Sequence, residues 1–344
     1  MDRPFVKKIA SFALALCVTG GLLWFISRRV DMRVALGYWK TVRVGPIAGA
    51  MGVFLFGAFV VGCFKWYLLL KWKGLPVPYL RVLHVKLAAA ALHVGLPLKL
   101  GAVTEGIYVS RVCGYRLEHV FSTITFDLLL NFMALVLLAT VSSGVIALEG
   151  GAVLGVPLYL WSTGGLVILL VMLTPFWPGG LRVLERVAAW FPGRAGVFVG
   201  GLLESYRDLA PVRKLALMGI AVAMQLMSYL LMYLSFRGFG LEAPLGYLML
   251  AVPVVFFFGA LPVSVSGFGI RELLVIFFFC RHRQLMSPEQ AVGASMFMGT
   301  LILLLSSALS APLLPGYLRD AAIGSRDRHR VEYPAGGGGP SGKQ

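Results

Sequence analysis

The sequence predicts an all-α polytopic membrane protein with about six to eight spans, two of its apolar stretches broken into re-entrant helical hairpins. Three observations carry this prediction. Hydrophobic residues make up 58% of the 344 residues and charged residues only 13%, with a mean hydropathy of +0.84. A soluble globular chain carries roughly twice that share of charge. The apolar residues gather in runs of about 20, the length that crosses a bilayer, and Pro and Gly interrupt two of those runs. This composition excludes a soluble enzyme, a disordered protein and a small disulfide scaffold.

The candidate spans follow in order. Ile9–Ile26 lies between Lys7, Lys8 and Arg28, Arg29. It lacks a small-x-small cleavage site before Arg28, so it reads as an anchor helix rather than a signal peptide. Pro46–Leu70, Val120–Leu148, Leu154–Phe176, Leu215–Phe236 and Ala291–Leu314 are the other uninterrupted candidates. Val82–Val112 is broken at Gly95-Leu96-Pro97 and Gly101, and Leu245–Cys280 at Leu261-Pro262, Gly267 and Gly269. Proline removes a helix hydrogen bond and glycine weakens a helix. Irregular backbone at membrane depth persists only where protein buries it or where it lines a cavity.

The two broken stretches resemble each other. LPLKLGAVTEG (96–106) and LPVSVSGFGIRE (261–272) share Leu-Pro, a polar residue two positions on, a later glycine and then a glutamate. Paired interrupted segments are the pattern of an inverted-repeat transporter and point to its binding site; two ordinary proline kinks are the plain alternative. As re-entrant hairpins they leave six spans and put both termini on one side, whereas full crossings give eight.

Charge supplies the orientation. The chain has 31 Lys and Arg against 15 Asp and Glu, a net charge of +16. No soluble segment is long enough to present this as a nucleic-acid surface. Basic residues of the 175–214 segment and those after Pro315 place both regions in the cytoplasm. Two clusters resist that rule: Arg28, Arg29, Arg33, Lys40 and Arg43, and then Arg281 and Arg283, fall outside. An amphipathic helix is expected in the cytoplasmic segment, with Leu181, Leu184, Val187 and Ala188 opposite Arg182, Glu185 and Arg186. The expected organisation is a transmembrane domain over residues 1–316 and a basic, disordered cytoplasmic tail over 317–344. Cys17, Cys63, Cys113 and Cys280 stand singly, without a CxxC pair, and read as small buried hydrophobes.

Ionisable groups inside a bilayer are costly, so each is a candidate functional residue. The deep ones are Glu105, Asp127, Arg271 and Glu272, with His84, Lys86, His93 and Lys99 near the first broken stretch. Asp127 and Asn131 share one helix face at a spacing of four. They line a headgroup path, or else satisfy a helix–helix contact with a neighbouring arginine or lysine. Ser264, Gly267 and Gly269 precede Arg271. Backbone amides exposed by the glycines, together with the arginine, suit a lipid phosphate. Glu272 and Glu105 are expected to pair with Arg271 and Lys99 and close the empty site; a purely structural salt bridge from Arg271 to Glu105 or Glu272 is the alternative. HExxH, GxSxG and GxxxxGK[ST] motifs are absent from the sequence, and neither a metal nor a cofactor is expected.

At these segments the chain resembles the lysylphosphatidylglycerol synthase transmembrane-region family, also called the flippase-like domain family. The late family motif matches closely at Pro262, Ser264, Gly267, Gly269, Arg271 and Glu272, and the early one loosely at Pro97, Gly101 and Glu105. The middle helix departs: Asp127 stands for a glutamate, Leu128 for an arginine and Asn131 for an aspartate. The resemblance implies translocation of an amphipathic lipid, such as a phospholipid or a polyprenyl- or hopanoid-type lipid, across a bacterial cytoplasmic membrane. Bifunctional members append an aminoacyl-transfer domain, and the resemblance here implies the translocating half alone. The expected partners are membrane lipids with an anionic headgroup, without nucleic acid. Two rivals remain. One is a non-transporting accessory subunit of an envelope glycolipid or glycan biosynthetic enzyme. The other is a membrane transferase with Glu105, Asp127 or Glu272 as base.

Overall fold

A computed structural model describes residues 17–95, 100–148, 152–153, 156–176, 178–188, 206–207, 209–260 and 267–323. The fold is helical throughout, apart from a two-residue antiparallel pair, Ala152–Val153 with Val156–Pro157, among the described residues. Helix α1 is seen from Cys17 to Ser27 and leads to the short α2, Met32–Gly37, whose N-terminus the Asp31 side chain caps through Arg33 N at 2.9 Å. Helix α3 runs Val44–Trp72, with a π-helical turn at Phe56–Val61. The first broken stretch forms α4 (Tyr79–Ala88), α5 (Ala90–Gly95) and α6 (Leu100–Cys113). There follow α7 (Leu117–Ala147), α8 (Leu158–Leu173), α9 (Pro178–Ala188) and α10 (Pro211–Gly238). The second broken stretch forms α11 (Leu245–Ala260) and α12 (Ile270–Val275), the latter continued by a π-helical turn over Ile276–His282. The chain then crosses as α13 (Pro288–Ser310) and turns into α14 (Leu314–Ile323). Proline opens both α10 and α13, where its missing N–H costs nothing.

Both broken stretches are re-entrant. In the first, Arg81 Nη1 lies 3.8 Å from Cys113 Sγ, and the His84 and Tyr108 rings are 6.4 Å apart. Deeper in, Glu105 meets Lys86 and His93. Gly101 lies so close to the opposite arm that a Cβ there would sit 2.6 Å from His93 N. The second stretch repeats the pattern: the Tyr247 hydroxyl donates to the Phe278 carbonyl at 2.9 Å, and Gly259 abuts Gly267. Gly267 and Gly269 have φ of +76° and +90°, a conformation that favours glycine. A Cβ on Gly269 would also stand 2.6 Å from Leu22 Cβ on α1.

The hairpins enter from opposite faces. The Arg213 guanidinium lies over Trp72, 5.5 Å from the ring centroid, placing the start of α10 beside the end of α3 and the mouth of the first hairpin. At the other end Arg43 N donates to the Gly238 carbonyl at 2.8 Å, on the face from which the second hairpin enters. Each broken stretch returns to its own side, as the re-entrant reading expects. Four helices, α3, α7, α10 and α13, are long and apolar enough to cross; α1 and α8 are shorter apolar helices.

The core divides the same way. One buried cluster, built on Trp66, Leu69, Val85, Val109, Phe126 and Leu217, packs the first hairpin. Another, built on Phe236, Val252, Val255, Val275, Phe278 and Phe279, packs the second. Helix α13 touches both, through a face of small residues. Ser295 meets α12, while the Ser310 hydroxyl donates to the Ala88 carbonyl at 2.5 Å. The fifteen-residue separation corresponds to about 22 Å along the axis.

Two sequence expectations are corrected. The segment from 317, expected to be a disordered tail, is helical to Ile323, and Tyr317 is 1% exposed and stacks on Tyr108 at 4.6 Å. The span expected from Leu154 starts at Leu158, because the chain first makes the short strand pair. Helix α9 forms where the amphipathic helix was expected, with Leu181 in the first core cluster and Arg182 and Arg186 exposed.

The opposite-face arrangement makes a direct prediction. In a background without the four native cysteines, Arg81→Cys and Arg283→Cys should react with a membrane-impermeant maleimide from opposite sides of sealed vesicles. Labelling of both from one side would rule the arrangement out.

Candidate functional site

Each hairpin buries one glutamate completely, and each glutamate is met by a different set of cations. Glu105 on α6 has 0% relative exposure. Its Oε2 accepts from Lys86 Nζ of α4 at 2.8 Å, and its Oε1 lies 2.6 Å from His93 Nε2 of α5. Lys86 also sits over the Trp66 ring, 4.8 Å from its centroid, and the Trp66 indole N–H donates to the Thr123 hydroxyl at 3.2 Å. Next to Trp66 in sequence, Lys65 is fully buried, with Nζ 3.1 Å from Asp127 Oδ1 and 2.5 Å from Asn131 Oδ1. The Lys65–Asp127 contact is one of charge, since Asp127 Oδ1 has no hydrogen-bond partner of good geometry. Asn131 Nδ2 reaches Asp127 Oδ2 at 3.4 Å. Two lysines, two acids and a histidine thus occupy the interior beside the first hairpin.

The second centre is tighter. Arg271 Nε and Nη2 donate to Glu272 Oε1 at 3.0 and 2.8 Å, to the Ser295 hydroxyl at 3.0 Å and to the Ser295 carbonyl at 3.1 Å. Glu272, 0% exposed, also accepts from Gly269 N at 2.7 Å and from the Ser295 hydroxyl at 2.8 Å. Gly299 makes room for this arginine: a Cβ there would lie 2.6 Å from Arg271 Nη2.

Two clefts lie between the two centres. A cleft of about 260 Å³ between α3 and α10 is lined by Asn131, Gln225 and Ser228 on its polar side. A second, small cleft of about 50 Å³ is lined by Arg271, Ser295 and Ser235. Leu231 forms a wall of both. Gln225, Ser228 and Ser235 recur at helical spacing, so they share one face of α10, which rises about 15 Å over that length. Ser235 is 1% exposed and its hydroxyl has no hydrogen-bond partner. An orphaned buried hydroxyl costs on the order of 1–3 kcal/mol, so a polar guest in this cleft gains what the empty protein lacks. On the opposing wall Gly57 and Gly62 of α3 face the side chains of Met227 and Met224, which adapt readily.

The family model described as the lysylphosphatidylglycerol synthase TM region matches residues 9–310. The chain belongs to this family. The match encloses both hairpins, both charged centres and the clefts between them. No curated protein and no solved structure matches the chain.

Within this lysylphosphatidylglycerol synthase TM-region fold, Arg271, Glu272, Gly267 and Gly269 come together at the second hairpin, and Asp127 and Asn131 join Glu105 at the first. Pro97, Lys99, Pro262 and Ser264 lie outside the described residues. Two expectations change. Glu105, expected to pair with Lys99, is held by Lys86 and His93, which the antiparallel hairpin carries to it. Arg271 pairs with Glu272, as expected, and not with Glu105, which belongs to the other hairpin. The Gly269 amide, expected to face a phosphate, donates instead to Glu272 Oε2.

Lys65 and Ser295 were missed. Lys65 was legible, as a lone lysine inside an otherwise apolar span; Ser295 gave no signal, serine being common in membrane helices. Among the described residues no group of three or more His, Cys, Asp or Glu side chains is placed to hold a metal ion.

Removing one partner of a buried ion pair strands the other charge, at about 3–5 kcal/mol. Lys65→Met should therefore lower the thermal unfolding temperature in detergent sharply, and Lys65→Met/Asp127→Leu should recover most of the loss. Additive losses in the double variant would show that the two charges do not compensate each other.

Proposed function

We propose that this protein moves an amphipathic lipid with an anionic headgroup between membrane leaflets, through the groove along α10. The observation that carries the reading is the Arg271 guanidinium, which lines a cleft beside the orphaned Ser235 hydroxyl. That cleft adjoins, at Leu231, a second one ending at Asn131. The acyl chains stay in the bilayer while the headgroup follows the polar face of the helix.

The chemistry of the second centre supports release as well as binding. Arginine takes a phosphate through paired N–H donors. When Arg271 turns toward a headgroup, Glu272 keeps the Gly269 amide and the Ser295 hydroxyl as donors. The carboxylate is therefore never left bare, and it competes for the arginine when the lipid moves on. Lys65 and Lys86 offer a comparable cationic end beside Asn131. This reading requires no bond-making step and assigns no residue as a catalytic base. Lysines and arginines flanking the first hairpin, Lys71, Lys73, Arg81, Arg111, Arg116 and Arg213, favour a cytoplasmic location for that face and for α14. The membrane on this reading is a bacterial cytoplasmic membrane.

The test is headgroup accessibility in proteoliposomes, with fluorescent phospholipids and a membrane-impermeant quencher. Wild type should expose the inner-leaflet pool, Arg271→Ala should protect it, and Leu231→Trp should slow exchange at least tenfold by narrowing the groove. Unchanged exchange in Arg271→Ala, or protection in wild type across anionic and zwitterionic lipids, would overturn the reading.

A further inference from the structure

Two of the basic residues that break the charge rule, Arg29 and Arg281, lie together. They converge on the mouth of a single apolar groove between α1 and the returning arm of the second hairpin. The groove has a volume of about 420 Å³ and is walled by Phe25, Leu273, Ile276 and Phe277, with the start of α13 at one end. It lies on the opposite side of the second hairpin's returning arm from any part of the groove already described: Leu273 is two residues past Arg271 yet lines only this one.

Its depth can be read from the neighbouring aromatics. Trp24 is 61% exposed with the Arg28 guanidinium 5.3 Å from its ring centroid, and Arg29 lies 5.0 Å from the Phe25 centroid. Exposed tryptophan beside arginine marks the membrane–water interface, so the mouth sits at headgroup level and the apolar walls below it at acyl-chain level. From Arg281 back to Leu273 is eight residues, about 12 Å of helix. Both arginines are exposed, and no ion pair among the described residues involves either.

We infer that this groove is a binding site for an anionic phospholipid on the face opposite the mouth of the first hairpin. Its phosphate bridges Arg29 and Arg281 and one acyl chain fills the slot down to Leu273. A zwitterionic lipid fits the slot equally but adds a cation at the arginines. A soluble phosphate meets the arginines but leaves the apolar slot unfilled, and both halves of the site are needed to hold the ligand. The site depends on the membrane-spanning architecture and not on transport, so its failure and that of the transport reading are separate results.

The test uses the purified full chain in detergent, with lipid retention read by native mass spectrometry. The probes are dioleoylphosphatidylglycerol, dioleoylphosphatidylcholine and glycerol 3-phosphate. Wild type should retain phosphatidylglycerol over phosphatidylcholine, and Arg29→Gln/Arg281→Gln should lower phosphatidylglycerol affinity about tenfold or more, leaving lipid-free thermal stability unchanged. Ile276→Trp should cut retention with both arginines intact, and glycerol 3-phosphate should not displace the lipid. Equal retention of the two lipids, full retention by the arginine double variant, or displacement by glycerol 3-phosphate would each overturn the inference. Should the double variant unfold, reversal of the lipid preference in Arg281→Glu alone serves the same purpose.

Discussion

A bilayer interior offers no water to a broken helix, so every amide and every charge that enters it must find a partner in the protein. The rest of this structure answers that constraint. Two helical stretches stop within the membrane, and in each the chain returns antiparallel on itself. Glutamate serves the same end in both. Glu272 takes the Gly269 amide at the start of α12, and Glu105 ties all three helices of the first hairpin together through Lys86 and His93.

Once the hairpins exist, the remaining helices are constrained by them. Helix α13 must pass both, so it carries Ser295 and Gly299 where Arg271 approaches and Ser310 where Ala88 does. Helix α10 runs the other way past the same region and presents polar side chains along one face. The space between is a groove instead of a packed seam because α3 offers glycines there, and methionines of α10 only partly fill it. The charge is equally unforgiving: Lys65 and Asp127 are tolerable at this depth only as a pair, and the pair leaves Asn131 facing the cleft.

Much of this was legible from residue order. Runs of about 20 apolar residues locate the spans, and the two Pro/Gly interruptions with a following glutamate locate the hairpins and the residues around Arg271. The partners were not legible, because pairing in a hairpin depends on how far each arm runs before turning. Lys86 and His93 lie nineteen and twelve residues from Glu105 along the chain, beyond any helical spacing that would suggest contact. Ser235 and Ser295 look like any serine in a membrane helix until the packing leaves one hydroxyl orphaned and gives the other to an arginine.

The sequence by itself determined that this chain lives in a membrane, where it breaks, and that charge is carried into the interior, because hydropathy, helix-breaking residues and ionisable groups are local properties. Tertiary structure decided which charge neutralises which, that the hairpins enter from opposite faces, and that outlying arginines meet over an apolar slot. Those outcomes depend on distances between segments remote in the chain, and no local spacing encodes them.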